Sequence, residues 1–312
     1  MHTETLIPLG QTDIRISPLG IGTWAWGDRF FWNYGRGYTA ADIQAAFQTA
    51  VEEGINFFDT AEVYGMGRAE RFLNEMSAQH APSIVIATKF FPFPWRVRRA
   101  AMRRALRQSL KRLGREQVDL YQIHFPWPPR STDFWVSTLG DLVQEGLVRA
   151  AGVSNYNAEQ MRRAYAILQA KGIPLASNQV HYSLLHREPE RNGVLHACQE
   201  LGITLIAYSP LEMGLLSGKY SPEHPPGGVR SRRYSREYLA RIRPLINLMQ
   251  EIGQNHGNKT PAQVALNWVI CKGAVPIPGA KNAHQAQSNA GALGWRLTAE
   301  EVAALDQASE GL

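Results

Sequence analysis

Cysteine is nearly absent from this chain, with two in 312 residues, Cys198 and Cys271. Both sit in apolar helical patterns and read as buried reduced thiols, which excludes a disulfide-stapled secreted scaffold. No apolar run reaches the roughly 18 residues of a membrane-spanning helix. Met1 to Ile7 carries no basic stretch leading into an apolar one, so no secretory leader and a cytoplasmic location are expected. Metal signatures are missing too: nine histidines occur, with no His-x-His, no His-Glu-x-x-His and no Cys-x-x-Cys. A metal site is therefore not expected.

Acidic residues fall slightly short of basic ones, 27 against 33, for a net charge of +6. A phosphate-bearing cofactor accounts for that excess as well as nucleic acid does. The densest basic stretch, 96–115, carries Met102, Leu106, Leu110 and Leu113 on one helical stripe and most of its arginines opposite, the pattern of a solvated helix face. Neither nucleic acid nor membrane is expected as a partner, and the sequence leaves the oligomeric state open.

What the chain does have is alternation. A short hairpin, 6–9 with 14–16, comes first. Strands then follow at 19–24, 55–59, 83–88, 118–123, 148–153, 175–180, 203–207 and 274–277. Helices follow them: one capped by Thr39 with Asp42 three residues on, then 68–78, 98–113, 134–145, 157–170, 188–201, 236–256 with 261–272, and 282–292. Short apolar strands separated by helices imply parallel pairing. Eight β/α units fit a closed (β/α)8 TIM barrel, an α/β fold, better than an open doubly wound sheet. The hairpin would cap the barrel floor, and residues 1–312 read as one domain. The Pro/Gly/Arg-rich stretch 222–236 interrupts the repeat as a long loop, because the pattern resumes after it.

Four residues stand at or just past strand ends: Asp59, Tyr64, Lys89 and His124. In a barrel, strand C-termini open on the face that carries the chemistry. Carbonyl reduction needs a hydride donor and a proton donor. A tyrosine, with its ordinary pKa of about 10, is a weak acid, which a neighbouring ammonium can strengthen. Lys89 would supply that charge and Asp59 its counter-ion, while His124 would hydrogen-bond and orient the substrate oxygen. Singly, each has a duller reading: a cap, a loop tyrosine, a surface lysine, an interior histidine. Gly35-Arg36-Gly37-Tyr38-Thr39-Ala40 fits a relaxed dinucleotide fingerprint, but the short aromatic run before it, 30–34, is no buried first strand.

The segments Leu19-Gly20-Ile21-Gly22-Thr23-Trp24, Asn56-Phe57-Phe58-Asp59-Thr60-Ala61-Glu62-Val63-Tyr64-Gly65, Ala87-Thr88-Lys89 and Asp119-Leu120-Tyr121-Gln122-Ile123-His124 resemble the aldo-keto reductase superfamily. So do Gly152-Val153-Ser154-Asn155-Tyr156, Ser177-Asn178-Gln179, Ala207-Tyr208-Ser209-Pro210-Leu211 and Ile277-Pro278-Gly279-Ala280-Lys281, in family order over nearly the whole chain. The resemblance implies a (β/α)8 barrel that binds NADP(H) and reduces an aldehyde or ketone to an alcohol, with Asp59, Tyr64, Lys89 and His124 as catalytic tetrad. It implies that Gly22, Thr23, Trp24 and Asp59 border the nicotinamide ribose. Ser154, Asn155 and Gln179 would hold the carboxamide, and Tyr208 would stack on the ring. Ser209, Pro210, Leu211 and Gly214 would cover the pyrophosphate, with Lys219 as a cation. Gly279, Lys281, Gln285 and Asn289 would meet the adenosine end, with Gly279 opening the last helix. Many members have arginine where this chain has Gln285, and serine or threonine where it has Ala280. Lys281 and one of Arg230, Arg232 or Arg233 are expected to compensate for a 2′-phosphate.

The mouth gathers Trp24, Trp26, Phe30, Phe31, Trp32, Tyr34, Phe90, Phe91, Phe93, Trp95, Phe125 and Trp127, which suggests an apolar pocket for a flat or aromatic carbonyl. Trp24, Tyr64, His124 and Phe125 are the expected substrate contacts. The tail is similar to a bacterial and plant-plastid subgroup near pyridoxal reductases, which implies a pyridoxal-like aldehyde. The same superfamily holds channel-associated β subunits that report redox state through a bound nucleotide. That is the alternative function.

Overall fold

A computed structural model describes residues 5–78, 80, 83–227 and 234–312. Strands β1 (Ile7–Pro8) and β2 (Arg15–Ile16) form a separate antiparallel hairpin. The other eight are parallel and follow one another in chain order: β3 (Ile21–Gly22), β4 (Phe57–Asp59), β5 (Val85–Phe90), β6 (Val118–Ile123), β7 (Val148–Ser154), β8 (Leu175–His181), β9 (Thr204–Tyr208) and β10 (Val275–Pro276). The two ends of this sheet meet. Gly20 N–H donates to Pro276 O and Gly22 N–H to Pro278 O, both at 3.0 Å, and Gly22 bridges Gly279 in parallel. A β-carbon on Gly22 would lie 2.8 Å from Ile277 O, so only glycine lets the seam close here. The expected (β/α)8 barrel is what forms.

Period-two alternation sorts the strand residues. Phe57, Val85, Ala87, Leu120, Ala150, Ala176, Ile206 and Val275 pack together inside the barrel, and the hairpin's Leu9, Ile14 and Ile16 join them. Gly10 N–H donates to Thr204 Oγ1, so the hairpin closes the N-terminal end of the barrel as expected. The intervening residues Phe58, Ile86, Tyr121, Ile123, Ala151 and Val153 face the helical layer in a second, larger core.

The helix after β3 runs Ala40–Glu52, with Thr39 and Asp42 forming a reciprocal capping box. The expected 188–201 helix is two, Glu188–Arg191 and Val194–Leu201, interrupted at Asn192 and Gly193. A further helix, Ala299–Ala308, packs against Arg236–Asn255 at the C-terminus. Its signal was readable in Thr298 and Glu301, which form another capping box. Gly35-Arg36-Gly37 lies in a turn bracketed by a Tyr34–Tyr38 bridge, with no strand leading directly into it among the described residues, so it lacks the strand–turn–helix setting of a Rossmann fingerprint. Among the described residues no helix is long and apolar enough to cross a membrane. Both cysteines are free, Cys198 buried and Cys271 half-buried.

Candidate active site

The inward-facing series does not end apolar. On β4 it runs Phe57 then Asp59, on β5 Val85, Ala87, Lys89, and on β6 Leu120 then Gln122. The same alternation that fills the barrel therefore sets a carboxylate, an ammonium and an amide above the apolar layer. Lys89 pairs with Gln122 across the sheet. Its Nζ donates to Asp59 Oδ2 at 2.5 Å, Thr60 O at 2.9 Å and Tyr64 Oη at 3.4 Å. The other oxygen of Asp59 accepts from Gln179 Nε2 at 2.7 Å and Gln122 Nε2 at 3.3 Å.

Tyr64 opens the short turn Tyr64–Gly67 after β4. Its ring stands edge-on to His124, centroids 6.0 Å apart, and Lys89 Nζ lies 5.0 Å from the ring centre. His124 follows β6, bonded through its backbone N–H to Phe90 O at 2.9 Å. The four residues expected to converge do so.

The electrostatics depart from expectation at Tyr64. Burial, and then the nearby Asp59 carboxylate, push its phenol well above the ordinary value. Lys89 does not outweigh that burial, because Asp59 stands 2.5 Å from the ammonium and offsets much of its charge. Burial pulls Lys89 itself down, and Asp59 opposes that. Burial, and then Lys89, hold His124 well below the usual imidazole range. A protonated phenol thus faces a neutral imidazole, and both can donate a hydrogen bond.

A cavity of about 630 Å³ opens over this cluster. Gly22, Trp24, Asp59, Tyr64, His124 and Phe125 line it, together with Ser154, Asn155, Gln179 and Tyr208. So do Ser209, Pro210, Leu211, Gly214 and Lys219, and Gly279, Lys281, Gln285 and Asn289. Two named residues stand behind the wall. Lys89 is fully buried, and Thr23 is fully buried with its hydroxyl bonded to Asp59 O. Arg230, Arg232 and Arg233 lie outside the described residues.

Ser154, Asn155 and Gln179, the residues expected to hold a carboxamide, are already bonded to their surroundings. Ser154 Oγ donates to Gln179 O at 2.9 Å, Asn155 Nδ2 donates to His124 O at 3.0 Å, and Tyr208 Oη donates to Asn155 Oδ1 at 3.0 Å. Gly279 does not open a helix. The helix there begins at Ala283 behind the cap Asn282, and it is not the last one. Gln285 Oε1 accepts from Lys281 N–H at 2.9 Å, and Lys281 Nζ lies over the rings of Trp32 and Tyr38, at 4.7 and 5.2 Å.

Of the aromatics, Trp24, Trp32, Phe91 and Phe125 line the cavity. Phe125 stacks between His124 and Trp127, at 4.8 and 4.3 Å. Trp26 and Phe90 are core instead. Sequence reasoning missed His284 and Ser288, which line the cavity beside Gln285 and Asn289. Spacing was the available signal, since Lys281, His284 and Ser288 stand three and four residues apart. It also missed Glu62, which fixes Phe91 by accepting its backbone N–H at 2.7 Å and pairing with Arg96.

A parallel barrel with this polar cluster at its C-terminal face is the architecture of a (β/α)8 barrel enzyme. The chain belongs to the aldo/keto reductase family, whose model matches residues 18–310. These are oxidoreductases that use nicotinamide cofactors. A chloroplastic pyridoxal reductase of Arabidopsis thaliana is 42% identical over 95% of this chain and 84% of its own. An NADH-specific methylglyoxal reductase of Escherichia coli is 29% identical over 98% of this chain and 98% of its own. An aldo/keto reductase of Klebsiella pneumoniae, solved in complex with NADP and acetate, superposes with a TM-score of 0.76 at 27% identity, covering 97% of this chain and 95% of that one.

Proposed function

We propose that this chain is an NADPH-dependent reductase of aldehydes, with flat aromatic aldehydes of the pyridoxal kind as the favoured class. One observation carries the reading: the Tyr64 hydroxyl, 3.4 Å from Lys89 Nζ, stands beside His124 in the lining of a cavity of about 630 Å³. The residues fit such a cofactor. Amide-bearing side chains lie beside the reacting groups, with Asn155 bonded to His124 O and Gln179 to Asp59, and Lys281 lines the same cavity. Bound there, the nicotinamide would supply the hydride.

The chain's own residues do the rest. His124, held neutral, donates a hydrogen bond that polarises the substrate carbonyl. Tyr64, held protonated, gives its proton to the oxygen as negative charge develops there. Lys89 steadies the phenolate left behind, and Asp59 keeps the buried ammonium in place. Ser154, Asn155 and Gln179 present donors and acceptors to the carboxamide, with Tyr208 against the ring. Lys219 and the loop from Ser209 to Gly214 would hold the pyrophosphate. Trp24, Phe91 and Phe125 exclude water and favour a flat ring.

The 42% identity to a pyridoxal reductase supports the substrate class. Lys281 supports NADPH over NADH, since its cation can meet a 2′-phosphate. The test is NADPH consumption across a panel of aldehydes and ketones including pyridoxal. Turnover should be fastest on flat aromatic aldehydes. Turnover on small aliphatic carbonyls alone would overturn the substrate class, and no turnover on any of them would favour the nucleotide-reporting alternative.

A further inference from the structure

The loop from Ser209 to Lys219 follows β9 and lines the cavity with every residue named for the pyrophosphate. Its backbone is strained. Ser209, Glu212 and Met213 have φ of 53, 47 and 52°, the left-handed region that non-glycine residues avoid. Such a conformation persists only where its surroundings impose it. Leu211 and Met213 face the cavity, but Glu212 between them turns away and is 6% exposed.

One oxygen of the buried Glu212 carboxylate carries two bonds. His181 Nε2 pairs with its Oε1, and Ser183 Oγ donates to the same oxygen at 2.8 Å. Burial pushes this carboxyl up, but the bonds from His181 and Ser183 outweigh it and hold it below the ordinary range. His181 ends β8, opposite Tyr208 in the β8–β9 register. Its ring stacks on Tyr208 at 5.3 Å and on His186 at 3.9 Å. None of His181, Ser183 and Glu212 lines the cavity.

We infer that His181, Ser183 and Glu212 form a latch that ties the pyrophosphate loop to the end of β8 and so sets the affinity for the dinucleotide. Glu212 and His181 are positioning residues. The inference rests on the reading of this cavity as a dinucleotide site. Leu215 and Leu216 anchor the far side of the loop in the core, and the left-handed residues lie ahead of that anchor, Glu212 and Met213 at the turn's start. One charge-assisted bond (buried, and therefore strong) fixes the middle of it.

The test uses the full chain with Glu212→Gln, His181→Phe and the double variant. Phenylalanine keeps a ring against Tyr208 and His186 and removes only the hydrogen bond. NADPH affinity is read from tryptophan fluorescence, and kcat and KM for NADPH from turnover. Each single variant should weaken NADPH binding about tenfold and raise KM to match, with kcat changed by less than about threefold. The double variant should lose no more than about twofold beyond the weaker single, because one interaction is removed twice. Binding within about twofold of the unaltered protein in His181→Phe, or losses that multiply in the double variant, would overturn the latch. If Glu212→Gln does not fold, His181→Phe alone decides. Failure of the unaltered protein to bind NADPH would instead overturn the cofactor reading, and the latch with it.

Discussion

A lysine with no side-chain surface in water is stable only with a counter-charge. Lys89 has one in Asp59, itself 2% exposed. The pair explains why the sequence places an acid at the end of one strand and an amine near the end of the next, since period-two alternation brings both to the barrel interior. The same pair corrects the expected electrostatics. Asp59 offsets so much of the Lys89 charge that the phenol of Tyr64 responds to burial and stays protonated. Two pH effects follow from these shifts. Because His124 is depressed, the unfolded chain takes up a proton at about pH 6.5 while the folded one resists it. His124 therefore contributes stability that is full above about pH 6.5 and falls as the pH drops toward its folded value. Urea unfolding from about pH 7.5 to about pH 5.5 should show that fall, and His124→Gln should lessen it. The rate of reduction should show no inflection near pH 6.5, and one there would mean that His124 titrates in the active protein. Lys281 gives a further residue-scale prediction. Lys281→Ala should weaken NADPH about tenfold more than NADH, the worth of ~1.4 kcal/mol, measured by fluorescence titration of each. Equal losses would remove Lys281 from the 2′-phosphate site.

At the scale of elements, the strands and helices follow hydrophobic period and capping. Ala40–Glu52, Ala158–Gln169, Pro261–Cys271 and Ala299–Ala308 each begin at a reciprocal capping box. Close approaches decide what periodicity does not. Arg236–Asn255 includes Gly253, where an added β-carbon would stand 1.9 Å from Lys259 O, and Lys259 N–H donates to Gly253 O at 2.8 Å. Gly253→Ala should therefore destabilise the fold by about 2–3 kcal/mol in urea unfolding, and a change under about 0.5 kcal/mol would contradict the packing. The elements were legible in the sequence because each announces itself locally. The break at Asn192 and Gly193 was less so, since the apolar period runs through it. The His181–Glu212 contact was not legible at all. It joins residues 31 positions apart, and nothing in either segment alone marks a partner.

At the scale of the molecule, the closed barrel converts sequence order into proximity. Asp59, Lys89 and His124 are distant in the chain and adjacent in space because β4, β5 and β6 are neighbours in register. That much could be read from motifs at strand ends. The cavity's depth and the inward bonding of Ser154, Asn155 and Gln179 could not, because they depend on how eight strand ends meet. The central claim is that the Tyr64 hydroxyl supplies the proton in a cavity built to hold a nicotinamide dinucleotide. Its most direct test is Tyr64→Phe, assayed for NADPH oxidation on the best aldehyde and for NADPH binding by fluorescence. The predicted result is a loss of at least about 100-fold in kcat, the usual worth of a positioned proton donor, with binding within about threefold of the unaltered protein. Undiminished turnover in that variant would contradict the account.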